Sequence, residues 1–137
     1  MIKQSTIDKM HDLRLACMAS AFEDQCNSHA YDNLAFEDRV GMLVDRQWDN
    51  MKSNTLQKTM KQAAFRYPNA CMEDIEYLPD RNLDKSLLLE LSTGRYITDS
   101  HHVILKGASG SGKTYLSNAL GVAACRNYTK VSYIRLP

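Results

Sequence analysis

With 137 residues, 44% of them hydrophobic, and a formal net charge of +1, the chain has material for about one domain with its own core. No stretch approaches the apolar length of a membrane span, and Met1-Ile2-Lys3-Gln4-Ser5 lacks the apolar core of a signal peptide, which points to a cytoplasmic protein. Cys17, Cys26, Cys71 and Cys125 form no C-x-x-C pair, and His11, His29, His101 and His102 show no metal-ligand spacing; free thiols and solvated histidines are expected.

From the N-terminus, Thr6 is placed to cap a helix whose apolar set is Ile7, Met10, Leu13, Cys17, Met18, Ala21 and Phe22, with Asn27-Ser28-His29 as its break. A longer helical pattern runs from Phe36 to about Arg66 and is closed by Pro68. Its apolar stripe changes phase. Val40, Val44, Trp48 and Met51 share one face, whereas Leu56, Met60 and Ala63 share another. Ser53-Asn54-Thr55, three poor helix formers, lie at the change. Either the helix bends there or its halves pack against different neighbours. Trp48, on the apolar stripe, is expected in the core and not as a base-stacking platform.

Tyr67-Pro68-Asn69 reads as a connector and Ile75-Glu76-Tyr77 as a short extended piece. Asp84 then caps a short helix carrying Leu87, Leu88 and Leu91 that ends at Gly94. The run His102-Val103-Ile104-Leu105-Lys106 predicts a buried strand. Lys113 to Arg126 predicts a helix with Leu116, Leu120, Ala123 and Ala124 on one face, stopped at Asn127, and Val131-Ser132-Tyr133-Ile134-Arg135 predicts a second strand. The expected fold class is therefore α/β. A helical region over residues 1–95 precedes a βαβ part over residues 96–137, which the loop at residues 107–114 makes the first part of a P-loop nucleotide-binding domain.

Between the predicted strand and helix, Gly107-Ala108-Ser109-Gly110-Ser111-Gly112-Lys113-Thr114 fits the pattern G-x-x-x-x-G-K-[ST] at every fixed position. The chemistry requires these residue types. Glycines without a Cβ let the backbone turn tightly and bring its N–H groups to phosphate oxygens, and the helix start adds unpaired N–H groups and a partial positive charge. Lys113 is expected to reach the β- and γ-phosphates of ATP, and the Thr114 hydroxyl to ligate Mg²⁺. No Asp or Glu follows Thr114, so no carboxylate of the following sequence complements it in hydrolysis.

Charge is unevenly spread. Asn50 to Arg66 carries four basic residues and no acid, while Glu73 to Asp84 carries five acids and one Arg. Lys52, Lys58, Lys61 and Arg66 are the leading candidates for contacts to a nucleic-acid backbone, with Lys106, Arg126, Lys130 and Arg135 beside the loop. On a helix Lys58 and Lys61 share a face but Lys52 and Arg66 point elsewhere, a scatter that a simply solvated helix also shows.

Taken together, these segments resemble the IstB-like helper ATPases of bacterial insertion sequences, relatives of the DnaC-type helicase loaders within the AAA+ class. The resemblance rests on Leu13-Arg14-Leu15 with Met18, Phe36-Glu37-Asp38-Arg39, and Leu43-Val44-Asp45-Arg46 with Trp48. It continues through Cys71-Met72-Glu73-Asp74-Ile75, Leu83-Asp84, Tyr115-Leu116, Ala119-Leu120-Gly121 and Tyr133-Ile134-Arg135-Leu136-Pro137. Ala16-Cys17 stands where the family usually has Pro-Gly, and the departure predicts a straighter helix at that point. The resemblance implies a protein that binds ATP with Mg²⁺, self-associates, assembles on double-stranded DNA and assists a transposase, with no membrane role. It implies too that the Walker B acids, sensor residue and trans-acting arginine belong to sequence beyond Pro137, so the chain is expected to stop after the second strand of the ATPase domain and to be inactive in hydrolysis alone. A helicase-loader adaptor and a non-catalytic helical interaction fragment are the alternatives.

Overall fold

The computed structural model describes residues 2–137, which form two compact units, Met1–Asn54 and Thr55–Pro137. Among the described residues there are six α-helices: α1 (Ile2–Asp12), α2 (Ala16–Asn27), α3 (Phe36–Ala63), α4 (Lys85–Ser92), α5 (Arg95–Thr98) and α6 (Lys113–Arg126). Three single-turn 3₁₀ helices complete the regular structure, at His29–Tyr31, Met72–Asp74 and Pro79–Arg81.

The α/β expectation is corrected. No strand and no sheet occur among the described residues, so no βαβ unit is formed. Residues 101–107 and 129–137 lie outside every helix yet pair with nothing in a ladder. The apolar run expected to be buried is covered on one side alone: Val103 and Leu105 are half-buried, whereas Ile104 is 78% exposed. Likewise Val131 and Tyr133 are half-buried between exposed neighbours, and the Tyr133 amide donates to the Ala63 carbonyl at the end of α3 (2.8 Å) and not to a neighbouring strand. An apolar, β-branched run reports an extended segment; a strand also requires a hydrogen-bonded neighbour.

In the first unit the single helix expected through Phe22 is two. α1 stops where Arg14 takes a left-handed conformation (φ 60°), and the Arg14 and Leu15 amides close onto the His11 and Met10 carbonyls at 2.9 and 2.8 Å. The chain thus turns immediately before Ala16, where a straighter helix was expected. α2 and α3 run antiparallel and are joined by polar contacts. Gln47 Oε1 accepts from the Met18 amide (3.1 Å), and Gln25 Nε2 donates to the Arg39 carbonyl (3.0 Å). Gln25 and Gln47 are buried beside Ala19, Ala21 and Leu43. This seam displaces the stripe read from periodicity. Val40, Val44, Met51 and Trp48 are all exposed, Trp48 by 57%, so the expectation of a core tryptophan is wrong.

α3 is one continuous helix through Ser53-Asn54-Thr55, and the phase change marks a change of neighbours. Its residues 36–54 belong to the first unit, and residues 55–63, with Thr59 and Ala63 buried, to the second. The second unit is organised around α6. Leu116, Ala119 and Leu120 pack with Ala70, Met72 and Leu88, flanked by half-buried Leu83, Leu91, Val103 and Leu105. α4 starts as the sequence predicts: Asp84 Oδ1 accepts from the Leu87 amide at 3.2 Å. Gly94 follows its end in a left-handed conformation (φ 78°) and leads directly into α5.

Candidate functional site

Residues 107–112 connect the extended segment at 101–106 to α6, which begins at Lys113 as expected. Gly110 (φ 77°) and Gly112 (φ 93°) occupy left-handed backbone that side chains rarely adopt. At Gly107 the issue is space instead: a Cβ there would stand 2.8 Å from Ser111 Oγ and would turn that hydroxyl aside. The turn is closed by the Ser111 amide donating to the Ala108 carbonyl (3.2 Å), and Gly112 becomes the N-cap, its carbonyl accepting from Leu116 (3.0 Å).

Lys113 folds back over this loop, its Nζ donating to the Gly107 and Ala108 carbonyls. The ammonium is thereby held at the mouth of the loop, beside the positive end of a 14-residue helix. Thr114, half-buried in the first helical turn, is fixed through its carbonyl. That oxygen accepts from Asn118 Nδ2 at 2.7 Å and from Ser117 Oγ at 2.8 Å.

The loop lines an open cleft of about 670 Å³. Gly107, Ala108, Gly110, Ser111, Gly112 and Lys113 supply one side; Leu83, Leu105 and Leu116 give it an apolar floor, and Lys106 adds a second ammonium. The volume falls in the range of small-molecule sites, about 300–1,000 Å³, and the lining has their character, apolar walls with a few convergent polar groups. Three cations against one carboxylate, Asp80, favour an anionic occupant.

Two lining residues, Asp80 and Arg81, escaped the sequence reading. Arg81 belongs to the 3₁₀ turn Pro79–Arg81, about thirty residues before the loop. Its Nη1 donates to the Glu76 carbonyl (2.9 Å) and its Nη2 to the Ser111 carbonyl (3.3 Å). No local pattern announces such a contact; the only signal was a lone arginine within an acid-rich segment.

The remaining basic residues are dispersed. Lys52 belongs to the first unit, where its Nζ lies 5.2 Å from the Trp48 ring centroid. Lys58 and Lys61 are exposed on α3 within the second unit, and Arg66, also exposed, stacks over Tyr67 at 5.4 Å. Arg126 is engaged by an acid, 3.5 Å from Glu73 Oε2, with Cys71 Sγ 3.8 Å from its Nη2. Cys71 also donates to the Glu73 carboxylate. That hydrogen bond foremost, with a smaller contribution from Arg126, holds the Glu73 carboxyl below its ordinary range. Lys130 and Arg135 are exposed. All four cysteines are free thiols, and burial pushes the Cys125 thiol up. No helix among the described residues is long and apolar enough to cross a membrane.

Comparison with known proteins gives a consistent pattern. The family model described as IstB-like ATP binding protein matches residues 8–137. The chain is 38% identical, over its whole length and 59% of the relative's, to the protein of Pseudomonas fluorescens named as an ATP-binding protein of insertion sequence IS1162. It is 32% identical, again over its whole length and 56% of the relative's, to the insertion-sequence ATP-binding protein y4pL of Sinorhizobium fredii. An IS232 protein of Bacillus thuringiensis, likewise named for ATP binding, is 25% identical over 96% of the chain and 52% of its own length. The chain spans a little over half the length of these curated relatives.

Proposed function

The chain belongs to the IstB-like ATP-binding protein family, and from that premise we propose that it is a transposition helper that binds ATP at residues 107–114. The observation that carries this reading is the placement of Lys113. Its ammonium already closes on two carbonyls of the loop, at the N-terminus of α6 and within a cleft of suitable volume. An incoming triphosphate would take over that ammonium and the loop amides, exchanging neutral carbonyl acceptors for phosphate anions and forming stronger charge-assisted bonds. Gly110 and Gly112 keep the loop free of side chains where the phosphates must approach.

Thr114 is the residue of this site that would hold Mg²⁺, which supplies charge neutralisation of the phosphates when bound. A hydroxyl in the first turn of α6, next to the phosphate-binding lysine, fits an ion that is held mainly by phosphate oxygens and water. Residues 96–137 are the nucleotide-binding part in this reading and residues 1–95 the part that meets partners. Double-stranded DNA would be bound through Lys52, Lys58, Lys61 and Arg66, with a transposase and further copies of the protein as the other partners, in the cytoplasm. Of the four basic residues, Lys58 and Lys61 are the best placed, both exposed and one turn apart on α3.

Titration of a fluorescent ATP analogue into wild type and Lys113→Ala tests the reading. Wild type is expected to bind and Lys113→Ala to lose binding with an unchanged far-ultraviolet circular dichroism spectrum. Equal binding by the two proteins would overturn the assignment.

A further inference from the structure

We propose that Arg81 is a positioning residue for the 107–114 loop: its guanidinium ties the Ser111 carbonyl to the Glu76 carbonyl and so holds the loop in the shape that receives a nucleotide. The inference deepens the proposed ATP site and rests on that reading.

Three observations converge on this arginine. The first is the fork itself, Nη1 to Glu76 O at 2.9 Å and Nη2 to Ser111 O at 3.3 Å, two bonds from one planar group to carbonyls of separate segments. Arg presents donors in this fixed spacing and Lys does not. The second is the closeness of the backbone: a Cβ on Gly112 would stand 3.0 Å from Nη2, so the guanidinium lies directly against the residue that caps α6. The third is the rigidity of its mount. Arg81 closes a 3₁₀ turn begun by Pro79, its amide donating to the Leu78 carbonyl (3.0 Å), and the chain then leaves through Asn82 in a left-handed conformation (φ 50°). Half-buried Tyr77 and Leu83 pack that segment onto the core on either side of the turn.

Arg81 also lies where two recesses meet. It lines both the 670 Å³ cleft and an adjoining recess of about 220 Å³, in each case beside Gly112. A loop built on glycines has much conformational freedom to lose on binding, and a tether from a rigid turn removes part of that loss beforehand. Without Arg81 the limb from Gly110 to Gly112 keeps its sequence but not its fixed position. Binding weakens because the loop must be ordered by the ligand.

The test uses the whole chain with Arg81→Ala and Arg81→Lys, read by amide hydrogen exchange without nucleotide and by titration of the ATP analogue. The Ser111 amide, bonded to the Ala108 carbonyl, reports on the loop. The amides of Asn127 and Tyr128 at the end of α6, bonded to carbonyls of residues 123–125, report on the fold. Expected are faster exchange at Ser111 in both variants, unchanged exchange at the end of α6, and affinity reduced roughly tenfold, the scale of losing one hydrogen bond from a charged donor. Wild-type affinity in Arg81→Lys would show that charge alone matters and overturn the proposal. So would unchanged Ser111 exchange, or faster exchange at both places, which would make Arg81 a general stabiliser. If wild type binds no analogue the ATP site itself falls, while exchange at Ser111 still decides whether Arg81 holds the loop.

Discussion

Asn118 Oδ1 accepts a hydrogen bond from the Tyr67 amide at 3.3 Å, joining the middle of α6 to the connector that follows α3. Asn118 is fully buried, and its Nδ2 donates to the Thr114 carbonyl at 2.7 Å, so one side chain serves the connector and the first turn of the nucleotide helix together. Removing it takes the partner from the part-buried Tyr67 N–H and leaves a void where a fully buried side chain stood. Asn118→Ala is expected to lower stability by about 1–3 kcal/mol, from two lost hydrogen bonds and the void left in a fully buried place. Asn118→Asp should cost more, since it buries a charge and loses the donor to Thr114. Urea midpoints at constant m-value check both.

Gly121 lies against Phe65. A Cβ on it would be 2.5 Å from Phe65 Cε1 and 2.9 Å from Cζ, closer than real contacts allow. Alanine is the better helix former by about 1 kcal/mol, but overpacking costs about 1–3 kcal/mol. Gly121→Ala is therefore expected to destabilise the wild type and to stabilise a Phe65→Leu background, where the ring is gone. A double-mutant cycle on thermal unfolding reads the coupling; additive effects would show that the ring edge moves aside without cost.

Signals confined to a few neighbouring residues were legible in the sequence, and those that depend on distant partners were not. The α6 boundaries, the Asp84 cap and the 107–114 loop all follow from residues within one or two turns of each other. The segments at 102–106 and 131–135 carry the apolar, β-branched residues of strands, yet whether an extended segment is paired depends on residues far along the chain. Tyr133 bonds to a helix end seventy residues earlier. Trp48 illustrates a different gap. Periodicity names a face of α3 without saying which face is covered, and the seam is taken by Leu43 and Gln47, the latter a polar residue that no hydrophobic count selects. Arg81 was hidden for the same reason as the missing ladder, since its partner carbonyl at Ser111 is thirty residues away.

Trp48, the single tryptophan, is 57% exposed with the Lys52 ammonium 5.2 Å from its ring centroid. Its fluorescence is expected to have the red-shifted maximum of a water-exposed indole and to be quenched readily by iodide. The neighbouring ammonium attracts that anion, so Lys52→Gln should reduce iodide quenching while leaving acrylamide quenching unchanged. A blue-shifted emission that iodide cannot reach would return Trp48 to the core.

Hydrolysis is expected to fail in the 137 residues alone, while the proposed binding is expected to survive. Transfer of a γ-phosphoryl group to water requires a carboxylate to help hold Mg²⁺ and a polar group to orient the attacking water, both within hydrogen-bond reach. No acid follows Thr114, and of the acids before it only Asp80 lines the cleft of the 107–114 loop. Asp80 stands on an exposed turn beside an arginine already engaged with two carbonyls, while Asp74 and Glu76 line the adjoining recess and not the cleft. In the proposed reading, binding depends instead on the loop amides and Lys113. The 137 residues alone are therefore expected to bind the ATP analogue while releasing no phosphate above background, with or without DNA. Phosphate release proportional to protein concentration and abolished in Lys113→Ala would overturn this expectation. Comparison with Asp80→Asn would then decide whether the cleft's one acid is the group responsible.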